Sequence, residues 1–197
     1  MVPDVEIAGI AAAHAALDRT VERLGQSDLA RPSLLPDWTI GHVLAHIARN
    51  ADSVVRRLQG SIEGRVVDQY AGGVAGRAAE IEESARLPLA ELTAYIRSSS
   101  AQVERICAAM PDDAWVRASR SISGNEQPAH VVAYSRWREV EIHLVDLGVG
   151  YTHADWPDAL VARMLPEVLE QLPKRADQRS LLAWTIGRAD APDLAPW

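Results

Sequence analysis

The sequence predicts a mainly α-helical protein built on a four-helix bundle. Apolar residues recur at spacings of three and four through four long segments, the period of a helix that buries one face. No stretch shows a convincing alternating strand pattern, and the connections between the four segments are of mixed length. Together these features describe helices packed side by side around one core.

The first helix carries Ile7, Ile10, His14, Leu17, Val21 and Leu24 on one face and ends at Gln26-Ser27-Asp28. Pro32 to Pro36 reads as loop. The second helix starts near Thr39, whose hydroxyl suits an N-cap. It carries Ile40, Val43, Leu44, Ile47, Val54, Val55 and Leu58, with Gly60 as the expected stop. Residues 61–76 are glycine-rich and read as irregular, with a short helix from Arg77 to Ala85. The third long helix follows Pro88 with Leu89, Leu92, Ile96, Val103 and Ile106. Residues 110–127 read as loop, with a short extended piece around Val116 to Ile122. The fourth long helix opens at Pro128, a good first-turn residue, and runs through Val132, Trp137, Val140 and Leu144 to Gly148. Ala159 to Leu172 forms a further amphipathic stretch after Pro157, and Leu181 to Ile186 closes the ordered pattern. Residues 1–150 are expected to form the bundle and 151–197 a small C-terminal cap.

Composition narrows the function. Hydrophobic residues make up 48% of the 197 and charged residues 24%, values of a folded globular chain rather than a disordered one. The net charge of −7 and pI of about 5.3 come without any basic stripe, which argues against a nucleic-acid partner. The single cysteine, Cys107, forms no intrachain disulfide and reads as a small core hydrophobe. No apolar run approaches the roughly 18 residues of a membrane span, and no basic segment with an apolar core opens the chain. The expectation is a soluble, cytoplasmic protein.

The histidines carry the chemistry. His42 and His46 stand four apart on the second helix, and Glu139 and His143 four apart on the fourth, so each pair projects from one helix face. Two neighbouring helices can aim these groups at one point. Imidazoles and a carboxylate without cysteine suit zinc or another first-row divalent ion. A catalytic zinc takes three protein ligands, so one of the four candidates is expected to lie outside the set. His14, inside an apolar stripe, reads as a satisfied core histidine, and His130 and His153 need no special role.

The block Leu35-Pro36-Asp37-Trp38-Thr39-Ile40-Gly41-His42-Val43-Leu44-Ala45-His46-Ile47-Ala48-Arg49-Asn50 resembles the signature of the mycothiol-dependent maleylpyruvate isomerase family. A second block, Arg138 to Gly148, matches as well, as do Gly73 to Ile81 and Trp184-Thr185-Ile186-Gly187-Arg188, all in the right order. The resemblance implies a DinB-like four-helix bundle with a divalent metal, normally zinc, held by His46, Glu139 and His143. His42 then becomes a neighbour of the site. It also implies mycothiol or a similar low-molecular-weight thiol as cofactor, with Arg77 and Arg188 handling a small acidic or electrophilic substrate. Asp146, three residues past His143, suits the second imidazole N–H of that ligand. The implied reaction is cis–trans isomerisation, in which thiolate adds to the activated double bond of maleylpyruvate and leaves after rotation. Only about 30 residues separate Pro157 from Arg188, so the cap is expected to be smaller than the C-terminal domain usual in the family. A different electrophile, accepting the thiol in an S-transfer, is the neighbouring reading. A non-catalytic metal-bound bundle that binds a ligand is the alternative of another class. The oligomeric state is not legible.

Overall fold

The computed structural model describes residues 1–195. The chain divides into two compact units, Met1–Asp155 and a second beginning at Trp156. The first is the bundle. Its long helices are α1 (Asp4–Val21), α2 (Ile40–Ile62), α4 (Leu89–Ala109) and α5 (His130–Asp146), with a shorter α3 (Gly73–Ser84) between α2 and α4. α2 is the central element, packing on α3, α4 and α5, while α1 packs on α5 and α4. The core follows the predicted stripes: Ile10, Leu17, Ile40, Leu44, Ile47, Leu58, Leu92 and Leu144 are all fully buried.

Four boundaries differ from the sequence reading. α2 runs past Gly60 to Ile62, and the left-handed residue that ends it is Gly64, at φ 71°. The Arg65 amide donates to the Gly60 carbonyl at 2.8 Å and the Gly64 amide to Ser61 at 3.2 Å, the paired bonds of a Schellman stop. Gly60 is needed for a different reason: a Cβ there would stand 2.8 Å from the Arg65 carbonyl oxygen. α3 begins at Gly73, so part of the glycine-rich stretch is helical. Within residues 110–127 and just beyond lies an antiparallel hairpin, β1 (Ala118–Arg120) with β2 (Glu126–Pro128). β1 falls inside the extended piece expected around Val116 to Ile122, while Glu126 and Gln127 of β2 fall in the stretch that reads as loop; both strands are three residues long, too short to show an alternating pattern. Pro128 belongs to β2, so α5 opens at His130 rather than at the proline.

The unit beginning at Trp156 holds α6 (Asp158–Arg175) and α7 (Gln178–Thr185), the latter capped by the Asp177 carboxylate. α6 leaves Val161, Leu165 and Leu169 exposed on one face. No helix among the described residues is long and apolar enough to cross a membrane.

Candidate metal centre

The centre is built by the first two turns of α2 and the last three of α5. Thr39 caps α2 as its hydroxyl accepts from the His42 amide at 3.4 Å. His42 returns the contact, its Nδ1 accepting from the Thr39 amide at 3.3 Å and lying 2.7 Å from the Thr39 hydroxyl. The other nitrogen, Nε2, faces the Glu82 carboxylate on α3 at 3.3 Å. Both imidazole nitrogens of His42 are therefore engaged at the helix cap. One turn later, His46 points between the helices and is 2% exposed.

His46 meets Glu139 although the two stand 93 positions apart. Nε2 of His46 lies 2.6 Å from Glu139 Oε1, and Nε2 of His143 lies 3.5 Å from the same oxygen. The two imidazoles pack edge to face, with ring centres 4.7 Å apart. One donor atom from each of His46, Glu139 and His143 falls within 4.8 Å of the others, the only such group of three among the described residues. Asp146 Oδ2 accepts from His143 Nδ1 at 2.8 Å, which fixes the tautomer and leaves Nε2 for the cluster. Two imidazoles and one carboxylate, without thiolate and with one imidazole oriented by a carboxylate, fit a zinc-like divalent ion.

The electrostatics match this packing. Burial lowers the His46 pKa, with the His143 and Arg77 charges acting in the same direction against Glu139. Burial would raise Glu139, but hydrogen bonds from His143 and His46 hold it well below the ordinary carboxylate value. Burial would also lower His143, yet Asp146 and Glu139 outweigh it and lift the group to about 9. Glu139 is thus a carboxylate at neutral pH, and His143 holds a proton that a metal ion would have to displace.

Arg77 on α3 covers the cluster from the third side. Its Nη2 lies 3.1 Å from His46 Nδ1, and its guanidinium carbon lies 6.0 Å from the Trp38 ring and 5.9 Å from the Tyr70 ring. Trp38 in turn packs edge-on against His46 at 5.5 Å. Trp38 and Tyr70 were not singled out from sequence, although Trp38 lies in the block that carries the resemblance. Arg188 belongs to the other unit, just after α7, where its guanidinium donates to the Gly187 carbonyl at 3.3 Å. Asp146 stands where the sequence reading put it, against His143.

The remaining candidates are accounted for. His14 Nδ1 contacts Glu104 at 2.9 Å and its Nε2 accepts from Arg136 at 3.2 Å. Burial and the Arg136 cation push its pKa down to about 2, so it is a neutral, satisfied core histidine. Cys107 is buried, and burial followed by the Glu104 charge raises its thiol to about 12.

The chain is a four-helix bundle with a His/Glu/His cluster between two of its helices. The family model described as the mycothiol maleylpyruvate isomerase N-terminal domain matches residues 10–148, and the chain belongs to that family. Among solved structures, the mycothiol-dependent maleylpyruvate isomerase superposes with a TM-score of 0.82 at 24% identity, covering 90% of this chain and 72% of that one. A mutant form of the same enzyme gives the same values. YfiT from Bacillus subtilis, described as a probable metal-dependent hydrolase with an unusual four-helix bundle topology, gives 0.60 at 17% identity, over 82% and 87% of the two chains. These structural likenesses establish the fold. No curated protein matches the chain.

Proposed function

We propose that this chain is a metal- and low-molecular-weight-thiol-dependent enzyme acting on a small acidic substrate, with cis–trans isomerisation by thiolate addition and elimination as its reaction. In this reading His46, Glu139 and His143 hold a divalent ion, zinc by donor chemistry. The convergence of those three side chains from two helices carries the proposal, because three protein ligands leave one position open. When bound, such an ion supplies the positive charge that converts a thiol, ordinarily near pKa 8.5, to thiolate at neutral pH.

The chain's own residues do the rest. Asp146 orients His143. Arg77 offers a planar fork of donors beside the cluster, suited to a carboxylate. Trp38 and Tyr70 flank that guanidinium with apolar surface and limit water around it. Arg188 enters as a second carboxylate contact through the family pattern. Cys107 takes no part, since a buried thiol raised to about 12 is a poor nucleophile and the thiolate comes from the cofactor, mycothiol or a relative of it. The cytoplasm, where small thiols stay reduced, is the fitting compartment.

The test begins with elemental analysis of purified protein beside His46→Ala and Glu139→Ala. About one zinc per chain, lost in both variants, is expected from a three-ligand site. No metal after zinc is offered would overturn the site. The zinc protein is then given mycothiol and maleylpyruvate. Formation of fumarylpyruvate without net thiol loss supports isomerisation. Stoichiometric thiol loss would replace it by S-transfer. Neither change, with zinc bound, would leave a ligand-binding bundle.

A further inference from the structure

Beneath the cluster, α2 and α5 bury two guanidinium ions that the proposed chemistry does not use. Arg57 and Arg136 are 4% and 1% exposed. Arg57 Nε donates to the Ser119 hydroxyl at 2.9 Å. Arg136 donates to the Ile47 carbonyl at 2.8 Å, to Asn50 Oδ1 at 2.9 Å and to His14 Nε2 at 3.2 Å. Every one of these acceptors is neutral. Glu139 and Asp52 act on Arg136 only at longer range. Glu139 serves the two histidines, and Asp52 accepts from the Tyr95 hydroxyl.

The second terminal nitrogen of each guanidinium, Nη2 of Arg57 and Nη2 of Arg136, is buried without any partner. Burial lowers both groups only to about 10, so both stay charged at neutral pH. A buried cation whose hydrogen-bond acceptors are all neutral is among the more expensive things a fold can hold, and only Arg136 feels carboxylates, through space. Both ions feel the same phenol, that of Tyr70, which is 5% exposed and also lies beside Arg77. Tyr70 hangs inward from the outer segment 65–72. That segment is bounded by left-handed glycines, Gly64 on one side and Gly72 and Gly73 on the other, at φ 71°, 74° and 62°. It is held by the Arg65 amide to the Gly60 carbonyl at 2.8 Å, by the Tyr70 carbonyl accepting from the Gly73 amide at 3.2 Å, and by side chains: Gln69 reaches Ser53 at 3.5 Å and accepts from the Ile122 amide at 2.8 Å, and Asp68 meets Arg120 at 3.2 Å.

We infer that Arg57 and Arg136 form a second anion subsite, roofed by Tyr70 and the segment 65–72, that takes a carboxylate of the substrate. His46, which Arg77 contacts, Asn50, which Arg136 contacts, and Arg57 itself stand at spacings of four and seven on α2, so one face of that helix meets all three guanidinium ions. The carboxylate assignment rests on the acidic-substrate reading above. The subsite itself rests on the two buried guanidinium ions whose Nη2 atoms have no partner.

Titration calorimetry on the zinc-loaded full chain uses maleate and fumarate as probes, with inorganic phosphate alongside. Wild type is expected to bind the dicarboxylates. Arg57→Gln and Arg136→Gln are each expected to raise Kd at least tenfold while zinc content is unchanged. Arg57→Lys, which keeps the charge, should recover part of the loss. Zinc content and turnover report the proposed function separately, so either reading can fail alone. Three results would overturn the subsite: no dicarboxylate binding by the zinc protein, unchanged Kd in both glutamine variants, or phosphate binding as tight as dicarboxylate with the same loss in Arg57→Gln. Hydrogen exchange of wild type needs no variant to fold. Maleate is expected to slow exchange across residues 65–72, and unchanged exchange there would also overturn the proposal.

Discussion

In the proposed centre a proton and a metal ion would compete for one nitrogen of His143, and the competition has a calculable size. In the metal-free protein Asp146 and Glu139 lift this imidazole from 6.5 to about 9 against the opposing effect of burial. Its side chain is only 15% exposed, so solvent screening takes little from the interaction. The elevation corresponds to about 3 kcal/mol at about 1.4 kcal/mol per pH unit. The sign follows from the folded value being the higher one. This contribution to metal-free stability is complete below pH 6.5, falls as pH rises from there, and is gone above about 9.

A zinc ion in the proposed site would need the same nitrogen without its proton. At pH 7 a group with a pKa of about 9 is neutral in roughly one molecule in a hundred. Zinc affinity should therefore climb about tenfold per pH unit from 7 toward 9 and level off above. Asp146→Asn keeps an oxygen that accepts from Nδ1 but removes the charge. Its affinity curve should break at least one unit lower, and its metal-free stability should depend less on pH across this range. Chelator competition at half-unit pH steps measures the first effect, and urea unfolding of the chelator-treated protein the second. A flat wild-type curve between pH 7 and 9, or an unmoved break in Asp146→Asn, would refute the reasoning.

The other predictions are simpler. Gly9→Ala pits about 1 kcal/mol of helix propensity against a Cβ placed 2.4 Å from two atoms of the buried Trp137 ring. Overpacking at about 1–3 kcal/mol or more should win, and a raised urea midpoint would show that α1 and α5 do not meet there. Cys107→Ser should retain most turnover, and its complete loss in a folded variant would make the nucleophile internal. Arg77→Ala should raise KM for an acidic substrate tenfold or more while zinc content stays the same; unchanged kinetics would return Arg77 to a surface role. Thr39→Ala should lower stability by about 1 kcal/mol through the lost cap, read as a shifted midpoint in urea.

Helix periodicity made the bundle legible, because each long helix buries one continuous stripe. The pairs His42/His46 and Glu139/His143 were visible as shared faces, but spacing alone cannot say which member points inward. That choice is made by the cap: the Thr39 contact and Glu82 occupy both nitrogens of His42, a reciprocity that depends on three-dimensional placement. The extended piece around Val116 to Ile122 contains β1, but β2 and the pairing were not legible because three-residue strands hold no full alternation. Arg57 and Arg136 escaped for the opposite reason. Arginine inside an amphipathic helix reads as solvent-facing, and only the tertiary packing reveals a buried one. Gly60 suggested a helix end because close approach and left-handed backbone both select glycine, and the sequence does not tell the two apart.

The loop between Pro32 and Trp38 joins the two halves of the centre at its rim. Its Leu34 amide donates to the Asp146 carbonyl at 2.8 Å, and Ser33 turns back to the Trp38 carbonyl at 2.9 Å just before α2 begins. The same aspartate whose side chain steers His143 therefore anchors, through its backbone, the strand of chain that presents Trp38 to His46. Prising α5 away from α2 at this end must break that amide bond. Leu34, whose side chain is exposed, thus closes this end through its backbone, and its amide exchange rate should report from outside whether the His46 and His143 sides of the centre are joined.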